Sequence, residues 1–145
     1  MKALTIQQPW ATLVAIGAKR IETRSWRTSY RGPLAIHAAK GFPKWARQFT
    51  TAPVCYETVR RFTAAQGSGT FPAYPTGVVL ATCTLVDCVP IRGVEPVSEL
   101  ERAFGDYSDG RYAWMLANVV PLPTPISAKG ALGLWEWEPA LEVKG

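Results

Sequence analysis

Lys19, Glu22 and Arg24 stand within one short segment, Gly17-Ala18-Lys19-Arg20-Ile21-Glu22-Thr23-Arg24. A glycine that ends a helix and a chain that turns at once into a strand would set Lys19 at a rim and project Glu22 and Arg24 side by side from one face. There a lysine pairs with phosphate or, when desolvated, acts as a base. A glutamate accepts from a base-edge donor or holds the arginine in place. On spacing alone the string reads first as a surface ion-pair cluster. The tryptophans are the second chemical signal. There are six in 145 residues, and Trp10, Trp26, Trp114, Trp135 and Trp137 fall at element ends or on alternating positions. Aromatic faces beside cations stack bases, although at least half of these rings are expected to fill the core. His37 is the only histidine and lies in an apolar run, so it reads as a core residue with one satisfied hydrogen bond, not as a catalytic base. Nothing matches a phosphate-cradling glycine loop, and no Ser-His-Asp set can be assembled.

The elements that must position these residues fit one compact domain over residues 1–145. The chain is 48% apolar and 19% charged, which excludes a disordered tail, and no apolar run approaches a spanning helix. Its charge is lopsided. Residues 1–61 hold eleven basic and two acidic side chains, and residues 62–145 hold five and nine. Such an asymmetry points to a polyanion-facing surface. Cys55, Cys83 and Cys88 form no disulfide framework. A zinc set of Cys83, Cys88 and His37 is disfavoured by spacing and ligand number, so no metal and no cofactor are expected. Met-Lys-Ala-Leu-Thr-Ile is not an export signal, and a cytoplasmic location is expected.

Alternation predicts a strand over Lys2–Gln8, and Pro9 opens a helix through Trp10, Leu13 and Val14 to the Gly17 cap. Lys19–Arg27 is extended, with Glu22, Arg24 and Trp26 on one face. Leu34–Ala39 reads as a central strand buried on both faces. Residues 42–66 are helical, divided at Pro53, with Val59, Phe62 and Thr63 inward. Gly67-Ser68-Gly69 ends that region and Phe71–Pro75 is a loop. Gly77–Ile91 is the longest strand signal. Ser98 and Glu101 have capping-box spacing. Arg111–Val120 is a further strand, Pro121–Pro125 a crossing segment that cannot donate into a ladder, and Leu134–Glu138 an alternating closing strand. This order is not a βαβ succession. It predicts an α+β fold, a small mixed β-barrel flanked by helices.

Leu4-Thr5-Ile6-Gln7-Gln8-Pro9-Trp10, the G-x-K-x-x-E-x-R string from Gly17 to Arg24, and Tyr30-Arg31-Gly32-Pro33-Leu34-Ala35-Ile36-His37-Ala38 together resemble the ASCH (ASC-1 homology) domain. Arg111-Tyr112-Ala113-Trp114 and Gly133-Leu134-Trp135 resemble its closing strands, so the likeness covers essentially the whole chain. It implies a PUA-like fold with the Lys/Glu/Arg string on a cleft wall, and binding of RNA or another nucleic acid. Some relatives are hydrolases, including amidohydrolases of N4-acetylcytidine that use a lysine, a threonine and a distal glutamate. Here the matching positions carry Lys19 and Glu22, a carboxylate in place of the threonine, and no acidic residue between Glu57 and Asp87 supplies the distal group.

Three functions follow. The first is an RNA- or modified-nucleoside-binding module, whose pocket is expected to use Trp10, Lys19, Glu22, Arg24, Trp26, Arg31 and Trp114, with Ser127 and Lys129 completing the rim. Arg20 belongs with Lys19 and Arg24 to the cleft string, and Arg27, Arg31, Lys40, Lys44, Arg47, Arg60 and Arg61 would form a positive apron around the pocket. The second is a small metal-independent hydrolase with Lys19 and Glu22 as its catalytic pair. The third is an interaction module that takes a protein partner.

Overall fold

The computed structural model describes residues 1–65, 74–94 and 97–139. In chain order its elements are β1 (Lys2–Ile6), α1 (Trp10–Ala15), β2 (Ile21–Arg24), β3 (Gly32–Ala38), α2 (Lys44–Phe49), α3 (Pro53–Ala65), β4 (Val78–Pro90), α4 (Glu99–Ala103), β5 (Tyr112–Ser127) and β6 (Leu134–Glu136), with a 3₁₀ turn at Ile91–Gly93. Pro53 separates the two helices because it lacks an N–H, which only a first-turn position tolerates. Gly67-Ser68-Gly69, and the Phe71–Ala73 part of the loop expected after it, lie outside the described residues.

The six strands form one mixed sheet in the order β2-β5-β4-β3-β1-β6, curved into a half-barrel. β3 runs parallel to β1 and antiparallel to β4. Its apolar run is buried on both faces, as the sequence predicts. Leu34, Ile36 and Ala38 pack with Ala11 and Val14 of α1 and with Trp114, whereas Ala35 packs with Ala3, Val79 and Trp137. The far side of α1 is covered too, since Leu13 and Ala18 meet Cys55 and Val59 of α3 and Phe104. Trp114 has no exposed surface, and burying a side chain of that size contributes roughly 3 kcal/mol.

Local chemistry sets the ends of α1. Gln8 Oε1 accepts from the Thr12 N–H (3.0 Å), which satisfies one of the amides a helix start leaves open. Gly17, at φ +85°, lets the chain leave the helix, and the Ala18 and Lys19 amides both return to the Leu13 carbonyl at 3.0 Å. β2 starts under a second clamp. Ser98 Oγ caps α4 by accepting from the Glu101 N–H, but the Glu101 carboxylate does not turn back to Ser98 as a capping box would. It accepts instead from the Arg20 and Ile21 amides at 2.6 and 3.2 Å.

The proline-rich stretch Pro121–Pro125, expected as a crossing segment, belongs to the long strand β5. The ladder with β4 pairs Ala81 with Pro121 and Val79 with Ile126, so residues 122–125 bulge out opposite Leu80. Pro123 and Pro125 thus fall where no ladder donor is required.

Candidate functional site

β2 lies at one edge of the sheet and β1 next to the other, yet the curvature brings them face to face. Arg24 closes that seam. Its Nη2 donates to the Thr5 carbonyl at 2.7 Å and to Glu22 Oε2 at 3.0 Å. The gap left where the half-barrel does not close is a cleft of about 470 Å³, within the ~300–1,000 Å³ usual for small-ligand sites. β1, the turn after it and α1 contribute Thr5, Gln7 and Trp10; β2 contributes Glu22, Thr23 and Arg24; Trp45 of α2 and the Phe104–Asp106 turn with Arg111 complete the walls.

Glu22 is 8% exposed and sits between two cations, with Lys19 Nζ 3.5 Å from Oε1 and Arg24 Nη2 on Oε2. Lys19 is not at the rim. Its side chain is fully buried, its ammonium donates to the Ile21 carbonyl, and it does not line the cleft. A helix ending at Gly17 turns the lysine inward beneath β2, so the ammonium supports the carboxylate from behind. On the opposite wall Arg111 Nη2 donates to the Thr23 carbonyl (3.0 Å), and its Nε lies 3.5 Å from Asp106 Oδ2. The Ser108 hydroxyl and amide, which both donate to Asp106 Oδ1, hold its carboxyl below the usual carboxylate range, and the Arg111 charge adds to this. The Asp106 amide in turn donates to Thr23 Oγ1. The cleft therefore carries two arginines against two carboxylates.

Its aromatic wall differs from the expected one. The sequence places Trp26 and Trp114 across the pocket, but neither lines it. They pack edge to face on each other at 4.7 Å, with Trp114 Nε1 donating to the Trp26 carbonyl. The rings that face the cleft are Trp10, stacked on Phe49 at 5.2 Å, and Trp45, which is 63% exposed and tilted against Trp10 at 5.8 Å. Arg31 is also elsewhere, donating to the Thr28 and Tyr30 carbonyls and paired with Asp87. Sequence reasoning misses Trp45, Asp106 and Arg111 as site residues. An exposed tryptophan on a short basic helix is the one local signal for any of them.

Ser127 and Lys129 do not complete this rim. They line a second cavity of about 1,090 Å³ together with Thr5, His37, Lys40 and Gly130. His37 is buried, as the sequence predicts for a core residue, and both ring nitrogens are bonded, Nδ1 to Thr5 Oγ1 at 3.0 Å and Nε2 to the Ala128 carbonyl at 2.8 Å. Because a carbonyl only accepts, Nε2 carries a proton. Trp135 Nε1 donates to Thr5 Oγ1, so the indole and the imidazole share the threonine hydroxyl. Thr5 thus faces both spaces, its carbonyl held by Arg24 and its hydroxyl by His37 and Trp135. The thiols have no role in either. Burial pushes Cys83 up to about 12, and among the described residues no three His, Cys, Asp or Glu side chains are grouped to hold a metal.

The ASCH domain family model matches residues 4–125, which include most of β1, the Gly17–Arg24 string and most of β5. The chain belongs to the ASCH domain family. ASCH domains share a PUA-like fold and are generally linked to RNA binding. The chain is 29% identical over 137 residues to Activating signal cointegrator 1 of Mus musculus and 28% identical over 137 residues to that of Homo sapiens. Both alignments cover 92% of this ASCH chain and 22% of the relative, so the chain spans about a fifth of those proteins. Crystal structures of the ASCH protein of Zymomonas mobilis and of a point mutant of it superpose with a TM-score of 0.52 at 12% identity. They cover 94% of this chain and 87% and 89% of theirs, and so share the fold. No helix among the described residues is long and apolar enough to cross a membrane.

Proposed function

We propose that the seam cleft binds a nucleobase, as part of RNA or of a modified nucleoside. The observation that carries this reading is the pairing of an exposed tryptophan with balanced polar groups in one cleft. Trp45, backed by Trp10 and Phe49, offers a face for stacking. Opposite it, Glu22 and Asp106 accept from exocyclic amines, and Arg24 and Arg111 donate to ring nitrogens or carbonyl oxygens. With its charges matched, the cleft suits a neutral, hydrogen-bonding, planar group. Calorimetric titration with the four ribonucleosides and N4-acetylcytidine tests this. Trp45→Ala is expected to weaken the best ligand by about 1–3 kcal/mol, the usual worth of one stacked base, with folding stability changed by less than about 0.5 kcal/mol as for exposed sites generally. Equal affinity in wild type and variant would remove the base from this cleft.

A hydrolytic reading is favoured by one observation, the Lys19–Glu22 contact at the cleft floor. Since the ammonium is committed to Ile21 and Glu22, Glu22 is the member of the pair that would meet a substrate. Incubating acylated cytidine and RNA oligomers with wild type and Glu22→Gln tests it, and equal product formation would take Glu22 out of any reaction.

A further inference from the structure

We infer that the ligand is a strand rather than a lone nucleoside, and that the second cavity takes the phosphate adjoining the base held in the seam cleft. This rests on the nucleobase reading of the first cleft and adds a subsite to it. The two spaces share Thr5 as a common wall. They are also joined along one exposed stretch of chain. Lys40 lines the cavity, the Gly41 carbonyl accepts from Nε2 of Gln7 at the cleft, and Lys44 leads to Trp45, the stacking ring of the cleft. A strand leaving Trp45 along this ridge arrives between Lys40 and Lys129.

Charge separates the two subsites. In the seam cleft each arginine has a carboxylate beside it. The cavity lining has Lys40 and Lys129 and no carboxylate, and neither lysine has an acidic partner among the described residues. Several other cations of the molecule are paired, Arg31 with Asp87, Arg60 with Glu57 and Arg92 with Asp109. A phosphodiester carries its negative charge at the position between two neutral bases, which matches a balanced cleft beside a cationic one.

The turn that carries Lys129 is held in advance of any ligand. The Ala128 amide donates to the Gly77 carbonyl at 3.1 Å, and its own carbonyl accepts from His37. Gly130 lies so close that an added Cβ would come within 2.7 Å of both His37 Cε1 and Thr5 Oγ1. The backbone beneath Lys129 is therefore seated on the cavity floor, and only its flexible stem has to order on binding.

The test uses the full chain with ribonucleosides, dinucleoside monophosphates and single-stranded RNA hexamers, comparing wild type with Lys40→Gln/Lys129→Gln and with Trp45→Ala. In wild type the dinucleoside monophosphate is expected to bind about tenfold tighter than the nucleoside at low salt, since the second contact becomes intramolecular. The double lysine variant should lose that gain while keeping nucleoside affinity within about twofold, and its salt slope for the hexamer should fall by about 0.7 for each phosphate no longer engaged. Both lysines are exposed and have no acidic partner among the described residues, so this variant is expected to fold normally. Equal affinity of nucleoside and hexamer, or a length dependence unchanged in the lysine variant, would overturn the second subsite and leave the cleft reading standing. A hexamer affinity unchanged by Trp45→Ala would overturn the cleft reading, and the strand path with it.

Discussion

The seam cleft and the cavity behind it share Thr5 but are built on opposite electrostatic plans. On the cleft wall the half-buried Arg24 pairs with the buried Glu22, and Lys19, buried outside the lining, holds that carboxylate from behind. Beneath the cavity lies a hydrogen-bonded relay without a carboxylate, Trp135 to Thr5 to His37 to the Ala128 carbonyl, with Lys40 and Lys129 placed at the exposed rim. A buried ion row fixes geometry but is costly to interrupt, because each charge depends on its neighbour. A relay of hydrogen bonds fixes its turn and leaves the rim lysines to meet an incoming anion. One half-barrel thus offers a rigid, balanced space and an adaptable, positive one side by side.

The sharpest way to break this contrast is to interrupt the buried row. Glu22→Leu leaves the fully buried Lys19 ammonium with only the Ile21 carbonyl, and urea unfolding is expected to show a loss of about 3–5 kcal/mol. Lys19→Met should cost about half as much as that buried-charge penalty, since Glu22 keeps Arg24 and the Thr23 amide. The double variant should fall well short of the sum. Strictly additive losses would mean that the row is not coupled.

Gly130→Ala acts from the side of the other region. Its methyl group must displace His37 or Thr5, an overpacking expected to cost about 1–3 kcal/mol. In thermal unfolding this should appear as a lowered midpoint, while nucleoside affinity in the seam cleft is preserved. A parallel loss of nucleoside binding would show that the two spaces are not separable at Thr5.

The smallest effect concerns Asp106 at the cleft wall. Its carboxyl titrates lower in the folded protein than the ~3.9 of an unfolded aspartate. Its stabilising contribution is therefore complete above that value and is lost as pH falls through the folded one. Thermal midpoints of wild type and Asp106→Asn should run parallel from about pH 5 to 8, with the wild-type curve falling more steeply below about pH 4. Curves parallel throughout would remove Asp106 from the acid limb.

What the sequence made legible was local. The Leu34–Ala38 run, the Pro53 break, the Ser98 cap and the Gly17 turn each follow from side-chain periodicity or backbone freedom within a few residues, and each is where the pattern puts it. The string on β2 was legible as a cluster, and Glu22 and Arg24 do face the cleft. Lys19 was misplaced because its burial depends on Ile21 and Glu22 closing over it and on Glu101, far along the chain, clamping the start of β2. Arg111 and Asp106 reach Thr23 only because β5 pairs with β2 across more than eighty intervening residues. Sheet curvature likewise turned Trp26 and Trp114 onto each other and left Trp45 to face the cleft. It also divided the expected rim, carrying Ser127 and Lys129 to the far side of β1.

The balanced and the cationic space are distinguished most directly by salt. The affinity of the best-bound ribonucleoside and that of a single-stranded RNA hexamer, measured from about 50 to 300 mM salt on the same protein, should diverge. The nucleoside is expected to hold constant within about twofold, because the charges lining the seam cleft cancel, while the hexamer weakens with a slope of about 0.7 per phosphate engaged. A nucleoside affinity that falls as steeply as that of the hexamer, or a hexamer indifferent to salt, would contradict the account.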